Sequence, residues 1–148
     1  MTQIREASPG DERAIFDLIY ALAVYEKAPE QVTNTPAQLR IDLFEDEICC
    51  AFVAEDDGQI IGFSLYYISY STWKGKCLYL EDFFVIPEKR HGGIGAQLFR
   101  KTVEKAKELG VKRMDWQVLE WNEPALAFYK KQHATLDEEW VNGRLFFE

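Results

Sequence analysis

The run Asp82-Phe83-Phe84-Val85-Ile86-Pro87-Glu88-Lys89-Arg90-His91-Gly92-Gly93-Ile94-Gly95-Ala96 constrains this chain more than any other stretch. An apolar strand enters a glycine-rich turn, and the turn opens a helix that continues Gln97-Leu98-Phe99-Arg100-Lys101-Thr102-Val103. Main-chain N–H groups at such a helix start point outward with the positive end of the macrodipole behind them, which suits a phosphate. Gly92, Gly93 and Gly95 carry no Cβ, so the backbone can approach an anion closely.

Spacing separates the nucleotide sites that use glycine in this way. A P-loop needs Gly-Lys-Ser/Thr, which the chain lacks. A dinucleotide fingerprint needs Gly-x-Gly-x-x-Gly early in a βαβ unit, whereas here Leu98 takes the third glycine position and the turn lies past mid-chain. The pattern that fits is Arg/Gln-x-x-Gly-x-Gly/Ala, met by Arg90-His91-Gly92-Gly93-Ile94-Gly95. It resembles the coenzyme A pyrophosphate motif of the GCN5-related N-acetyltransferase (GNAT) superfamily.

Flanking blocks widen that resemblance to nearly the whole chain, Ile4 to about Phe147. Tyr79-Leu80-Glu81-Asp82-Phe83-Phe84-Val85, Glu120-Trp121-Asn122-Glu123-Pro124, Phe128-Tyr129-Lys130, Tyr25-Glu26 and Tyr70 to Lys76 are similar to the diamine (spermidine/spermine) and thialysine N-acetyltransferase branch. The resemblance implies a single GNAT domain over 1–148, an α/β fold with a mixed, mostly antiparallel twisted sheet flanked by helices. It also implies a splay between the fourth and fifth strands, where the pantetheine arm of acetyl-CoA pairs as a pseudo-strand.

The residue roles follow position by position. The resemblance implies coenzyme contacts from Phe83, Phe84, Val85, Arg90, His91, Gly92, Gly93, Ile94, Gly95 and Ala96, and from Asn122, Pro124, Ala125 and Tyr129. It implies Glu81 as general base and Tyr129 as the acid for the departing thiolate. Tyr25, Glu26, Trp73 and Glu81 are the implied amine contacts, and a homodimer is the implied assembly. Polyamine members carry Asp-Pro before this tryptophan; here Ser71-Thr72 resembles the thialysine members instead. His91 and His133 stand at usual glycine positions, and the sequence stops at Glu148, short of the polyamine members' C-terminal extension, so an exchanged tail is not expected.

The chemistry explains why such residues are wanted. An amine of reference pKa about 10.4 is neutral in only a few parts in ten thousand at pH 7, a barrier of roughly 4–5 kcal/mol before reaction. A carboxylate beside it lowers that barrier. Main-chain N–H at Val85 or Phe84 would polarise the thioester carbonyl. Read alone, Glu81 in an apolar strand is an unfavourable buried charge, and strand alternation sends Asp82 to the other face as a structural acid. Trp73 reads either as a cation–π wall of the amine pocket or as a hairpin anchor.

Composition sets the remaining bounds. At 148 residues and 47% hydrophobic content, one domain with a full core is expected. The net charge of −8 excludes a nucleic-acid reading and is compatible with cationic partners. No apolar run reaches a membrane span and the start has no signal core, so a cytoplasmic protein is expected. Cys49, Cys50 and Cys77 lack C-x-x-C spacing and read as buried free thiols, and two distant histidines give no metal site.

The expected order is β-α-α-β-β-β-α-β-α-β-β. Gln3–Ala7 is a strand, Ser8 caps a helix reaching Tyr25, and Thr35 caps another through Phe44. Strands follow at Cys49–Glu55, Gln59–Tyr70 and Cys77–Val85, then a helix from Gly93 to Leu109 closed by Gly110. Val111–Leu119 is the next strand, Glu123–Gln132 the next helix, and the remainder a terminal hairpin.

Overall fold

The computed structural model describes residues 1–147 and, for His91, the main chain only. The chain forms two compact units, Met1–Gln117 and Val118–Glu148. In the first, the elements run β1 (Thr2–Glu6), α1 (Glu12–Tyr25), α2 (Pro36–Arg40), β2 (Cys50–Asp56), β3 (Gln59–Ser71), β4 (Gly75–Val85), α3 (Ile94–Glu108) and β5 (Met114–Asp115). The five strands lie side by side in sequence order, antiparallel except for the parallel pair β4–β5. The mixed, mostly antiparallel sheet expected from the sequence is therefore found.

Each face of the sheet is covered by helix. On one face Ile15 and Leu18 of α1 and Leu39 of α2 pack with Val53, Phe63, Leu65 and Phe84. On the other, Ile94, Leu98 and Ala106 of α3 pack with Phe52, Ile61, Leu78 and Val85. The helical spacing of Ile15, Leu18, Ile19 and Leu22 gives that burial, since residues three and four apart share a stripe. Thr102 fixes α3 to the sheet: its hydroxyl lies 2.8 Å from the Ser64 hydroxyl and donates to the Leu98 carbonyl, all three groups being buried. A buried hydroxyl pair of this kind is costly to break from one side.

Local signals succeed where they are self-contained. Thr35 accepts from the Gln38 N–H at 3.1 Å, as its cap signature predicts, and α2 ends in a π turn, Ile41–Glu45. The Ser8 cap does not form. Pro9-Gly10 makes a turn, α1 starts at Glu12, and Asp11 instead accepts from the Ser8 N–H and from Arg5 at 2.7 Å. A charged partner on β1 outcompetes the local hydroxyl cap.

Three further expectations need correction. The strand expected over Val111–Leu119 reduces to Met114–Asp115. No strand occurs among the described residues after Gln132, so the terminal hairpin is not formed. Cys77 is buried, but Cys49 is half-buried and Cys50 exposed. In the second unit, α4 (Glu123–Lys131) is capped by the Asn122 side chain, which accepts from the Ala125 N–H at 3.3 Å. His133 follows in the left-handed region at φ 64°, a conformation that favours the glycine usual at this position.

Candidate active site

The glycine turn is built as its sequence implies. Pro87–Gly92 forms a 3-10 turn, and Gly93 caps α3 in the left-handed region at φ 77°, with no side chain capping the helix start. The first N–H groups of α3 thus keep their outward donors. A Cβ placed on Gly92 or Gly93 meets no atom within 4 Å, so the surface beside these two glycines is open. Gly95 differs: its Cβ position is in ordinary contact with the Phe83 ring at 3.8 Å. These residues fit a pyrophosphate by donor set and by room.

Arg90 holds the turn against the sheet. Its Nε donates to the Val85 carbonyl at 2.8 Å, and its guanidinium lies 5.1 Å from the Tyr25 ring and 5.2 Å from the Phe84 ring. Its planar donors and cationic face bind carbonyl and aromatic groups together.

Strand β4 supplies the edge. It pairs with β5 only at Leu78↔Met114 and Tyr79↔Asp115, then runs on to Val85, so the two strands part where the splay was expected. The direction of the main chain along this edge is set by a β-bulge. Leu65 opposes Asp82 while Tyr66 opposes Leu80, which leaves Glu81 as the extra residue. Before the bulge the Leu78 N–H points to β5, donating to Arg113 at 3.0 Å; after it the Ile86 N–H points to β3, donating to Ile61 at 2.9 Å. Alternation from those two bonds turns Phe83 and Val85 to the β5 side and Phe84 to Phe63 of β3. Of the two N–H groups proposed to polarise a carbonyl, Val85 faces the parting edge and Phe84 does not.

The bulge also moves side chains. Leu78 packs on the α3 face, and past the bulge so do Phe83 and Val85, while Phe84 packs on the α1 face. Counting from either side therefore brings both Glu81 and Asp82 to the α1 face. This overturns the expectation that Asp82 alternates away from Glu81: alternation holds only in an unbroken strand. Glu81 is exposed, not a buried charge, and Asp82 is half-buried.

Glu26 joins the pair from the end of α1. Burial pushes the Asp82 carboxyl up to about 7, reinforced by the negative charges of Glu81 and Glu26. Burial also raises Glu26. Tyr79 is pushed up to about 12 and Tyr67 upward, first by burial and then by Glu81, and their rings lie 5.3 Å apart. Three carboxyls that raise one another's cost of ionisation are an arrangement that a cation placed among them would relieve.

A model of the acetyltransferase (GNAT) family matches residues 15–134, a stretch running through both units. The chain belongs to the GNAT family. It is an N-acetyltransferase, and GNAT members use acetyl-CoA as donor. Similar curated proteins include a thialysine N-epsilon-acetyltransferase of Bos taurus, 40% identical over 93% of this chain and 88% of its own. The Caenorhabditis elegans protein of that name is 33% identical over 97% and 91%. Among solved structures, an aminoglycoside acetyltransferase from a soil metagenomic sample has a TM-score of 0.81 at 20% identity, covering 99% and 97%. That likeness speaks for the GNAT fold.

Against this family frame, the structure brings together Glu26, Glu81, Val85 and Arg90 around β4, and adds Asp82, which sequence reasoning had set aside. The available signal was the adjacent acidic pair itself. Trp73 is not brought to the carboxyls: it sits 85% exposed on the β3–β4 turn, with about 20 Å of strand between Gly75 and Glu81. The hairpin-anchor reading fares no better at that exposure. Asn122, Pro124, Ala125 and Tyr129 all lie in the second unit, where Tyr129 is buried with its ring 5.5 Å from Phe128. The side chain of His91 lies outside the described residues. Among the described residues no cluster of three metal-binding side chains occurs, and no helix is long and apolar enough to cross a membrane.

Proposed function

We propose that this N-acetyltransferase transfers the acetyl group of acetyl-CoA to the terminal amine of a small cation, by direct attack in a ternary complex. The observation that carries the reading is the bulge at Glu81, which turns Glu81 and Asp82 to the α1 face of β4 beside its parting edge, where the charge of Glu26 also reaches Asp82. In this scheme Asp82 and Glu26 hold the ammonium and Glu81 accepts its proton, directly or through water. The amine nitrogen then bonds to the acetyl carbon and the carbon–sulfur bond breaks. The Val85 N–H supports the charge developing on the carbonyl oxygen, and Tyr129 returns a proton to the thiolate.

The acceptor we favour is a lysine analogue of the thialysine kind, acetylated on its side-chain amine. Ser71-Thr72 before Trp73 and the names of the relatives at 33–40% identity both support that choice. A diamine or polyamine is the second reading, favoured by three carboxyls where one ammonium needs fewer. The test is thiol release from acetyl-CoA with thialysine, lysine, putrescine, spermidine and a basic peptide. Turnover highest on thialysine is the expected result, and preference for spermidine selects the second reading. Coenzyme binding without turnover on any acceptor would leave a coenzyme sensor. Sedimentation of the purified chain tests the homodimer, which is part of the same proposal.

A further inference from the structure

Strand β5 brings a charged pair to the face of the sheet that carries Glu81 and Asp82. Met114 packs with Leu78 on the α3 face, so its neighbours Arg113 and Asp115 turn to the α1 face. They are joined there: the Arg113 Nε lies 2.8 Å from one Asp115 carboxylate oxygen and 3.0 Å from the other. Both side chains stay open to solvent, at 46% and 34%. An exposed pair of this kind adds little to stability, so folding gives no account of it. The contact is made through Nε, one of five guanidinium donors, so a second carboxylate can still meet the two terminal nitrogens.

The pair stands in register with the carboxyl end of β4. Asp115 opposes Tyr79, which in turn opposes Tyr67 of β3. Tyr79 precedes Glu81 by two residues on the same face, and the charges of both Glu81 and Asp115 reach its hydroxyl. A row therefore leads from Glu81 over Tyr79 to Asp115 and Arg113. Two residues of strand cover about 6–7 Å and the step to the next strand about 5 Å. In a lysine analogue, five bonds, about 6 Å when extended, separate the side-chain amine from the α-carbon, which carries an ammonium and a carboxylate. With its reacting amine at Glu81 and its chain along the Tyr79 ring, such a molecule brings both head-group charges to Asp115 and Arg113. Resting on the small-amine reading of the Glu81 site, we propose that Arg113 and Asp115 form the head-group subsite of the acceptor. Asp115 takes the α-ammonium and Arg113 the α-carboxylate, so the enzyme selects an α-amino acid over a diamine of the same length.

The experiment compares initial rates on thialysine and on bis(2-aminoethyl) sulfide, the same molecule without its carboxylate, at saturating acetyl-CoA and low salt. Wild type, Arg113→Gln, Arg113→Lys and Asp115→Asn are measured, with circular dichroism as a check on folding. Wild type favours thialysine by about 10- to 100-fold in kcat/KM, the range expected for charge-assisted hydrogen bonds to one carboxylate. Arg113→Gln reduces that preference to about 3-fold or less by raising the KM for thialysine alone, with kcat kept because Arg113 lies away from the reacting amine. Arg113→Lys recovers part of the preference, since the charge returns without the planar fork. Asp115→Asn raises the KM for both acceptors, each of which carries the distal ammonium. Equal wild-type kcat/KM on the two acceptors, or a preference that survives Arg113→Gln, overturns the inference and leaves the Glu81 site standing. If neither amine is acetylated, the small-amine reading itself fails and takes this one with it.

Discussion

The two faces of β4 near its parting edge use opposite chemistry and reach it by different routes. Toward α3, the strand runs into a glycine turn whose N–H donors favour anions. Toward α1, the bulge turns Glu81 and Asp82 to one face, and burial, reinforced by the charges of Glu81 and Glu26, holds the Asp82 carboxyl near neutrality. The anion side is written contiguously, Arg90 to Ala96, because a helix start and its cap are local structures. The cation side exists only after β3 and β4 register against each other and α1 packs above them. The proposed reaction, which joins an anionic donor to a cationic acceptor, would use both, and one strand separates them.

The sharpest way to break that comparison is at the turn. Gly93→Val places a branched side chain at φ 77° and on the open surface beside the donors, so coenzyme binding should fall below detection by titration while circular dichroism stays native. Normal binding would mean that the phosphate lies elsewhere. Glu81→Gln acts on the other face alone: kcat should drop by about 10²–10³ with the coenzyme Kd unchanged. A variant with wild-type kcat across pH 6–9 would remove Glu81 from proton transfer.

Asp82→Asn sharpens the electrostatic half. As pH falls through about 7 the wild-type carboxyl is neutralised, so kcat/KM for the amine should fall, about tenfold by one unit below. The ratio of wild type to variant should shrink over the same window; a ratio flat with pH argues that Asp82 does not meet the amine. Stability carries the opposite sign. A carboxyl raised above its ordinary value favours the fold below about pH 4, and that contribution is lost as pH rises toward 7. Asp82→Asn should therefore melt higher than wild type at pH 8, by about 2–4 °C for each kcal/mol gained, and the gap should narrow toward pH 5. The smallest functional effect is expected at the structural pin between the faces. Thr102→Val leaves the buried Ser64 hydroxyl without its partner and should cost about 1–3 kcal/mol by denaturant melts, with both KM values kept.

Legibility in the sequence followed the range of the interactions. Thr35, Gly93 and the α1 stripe were readable because caps, left-handed turns and helical periodicity are decided within a few residues. Ser8 was misread because Asp11 found Arg5, a partner on another element. The pair Glu81-Asp82 was misassigned because the bulge depends on the register of Leu65 and Tyr66 against β4. The strand after Val111 was overextended, since its apolar residues gave no information on where pairing with β4 would stop.

By itself, then, the sequence determined the family, the order of layers and the glycine turn that opens α3, all consequences of contiguous residues with fixed local geometry. Only the tertiary structure decided which carboxyls share a face, that Asp82 titrates near neutrality, and that the Val85 N–H rather than that of Phe84 meets the edge. Each depends on a single inserted residue in β4, and strand parity propagates that insertion to every side chain and hydrogen bond beyond it.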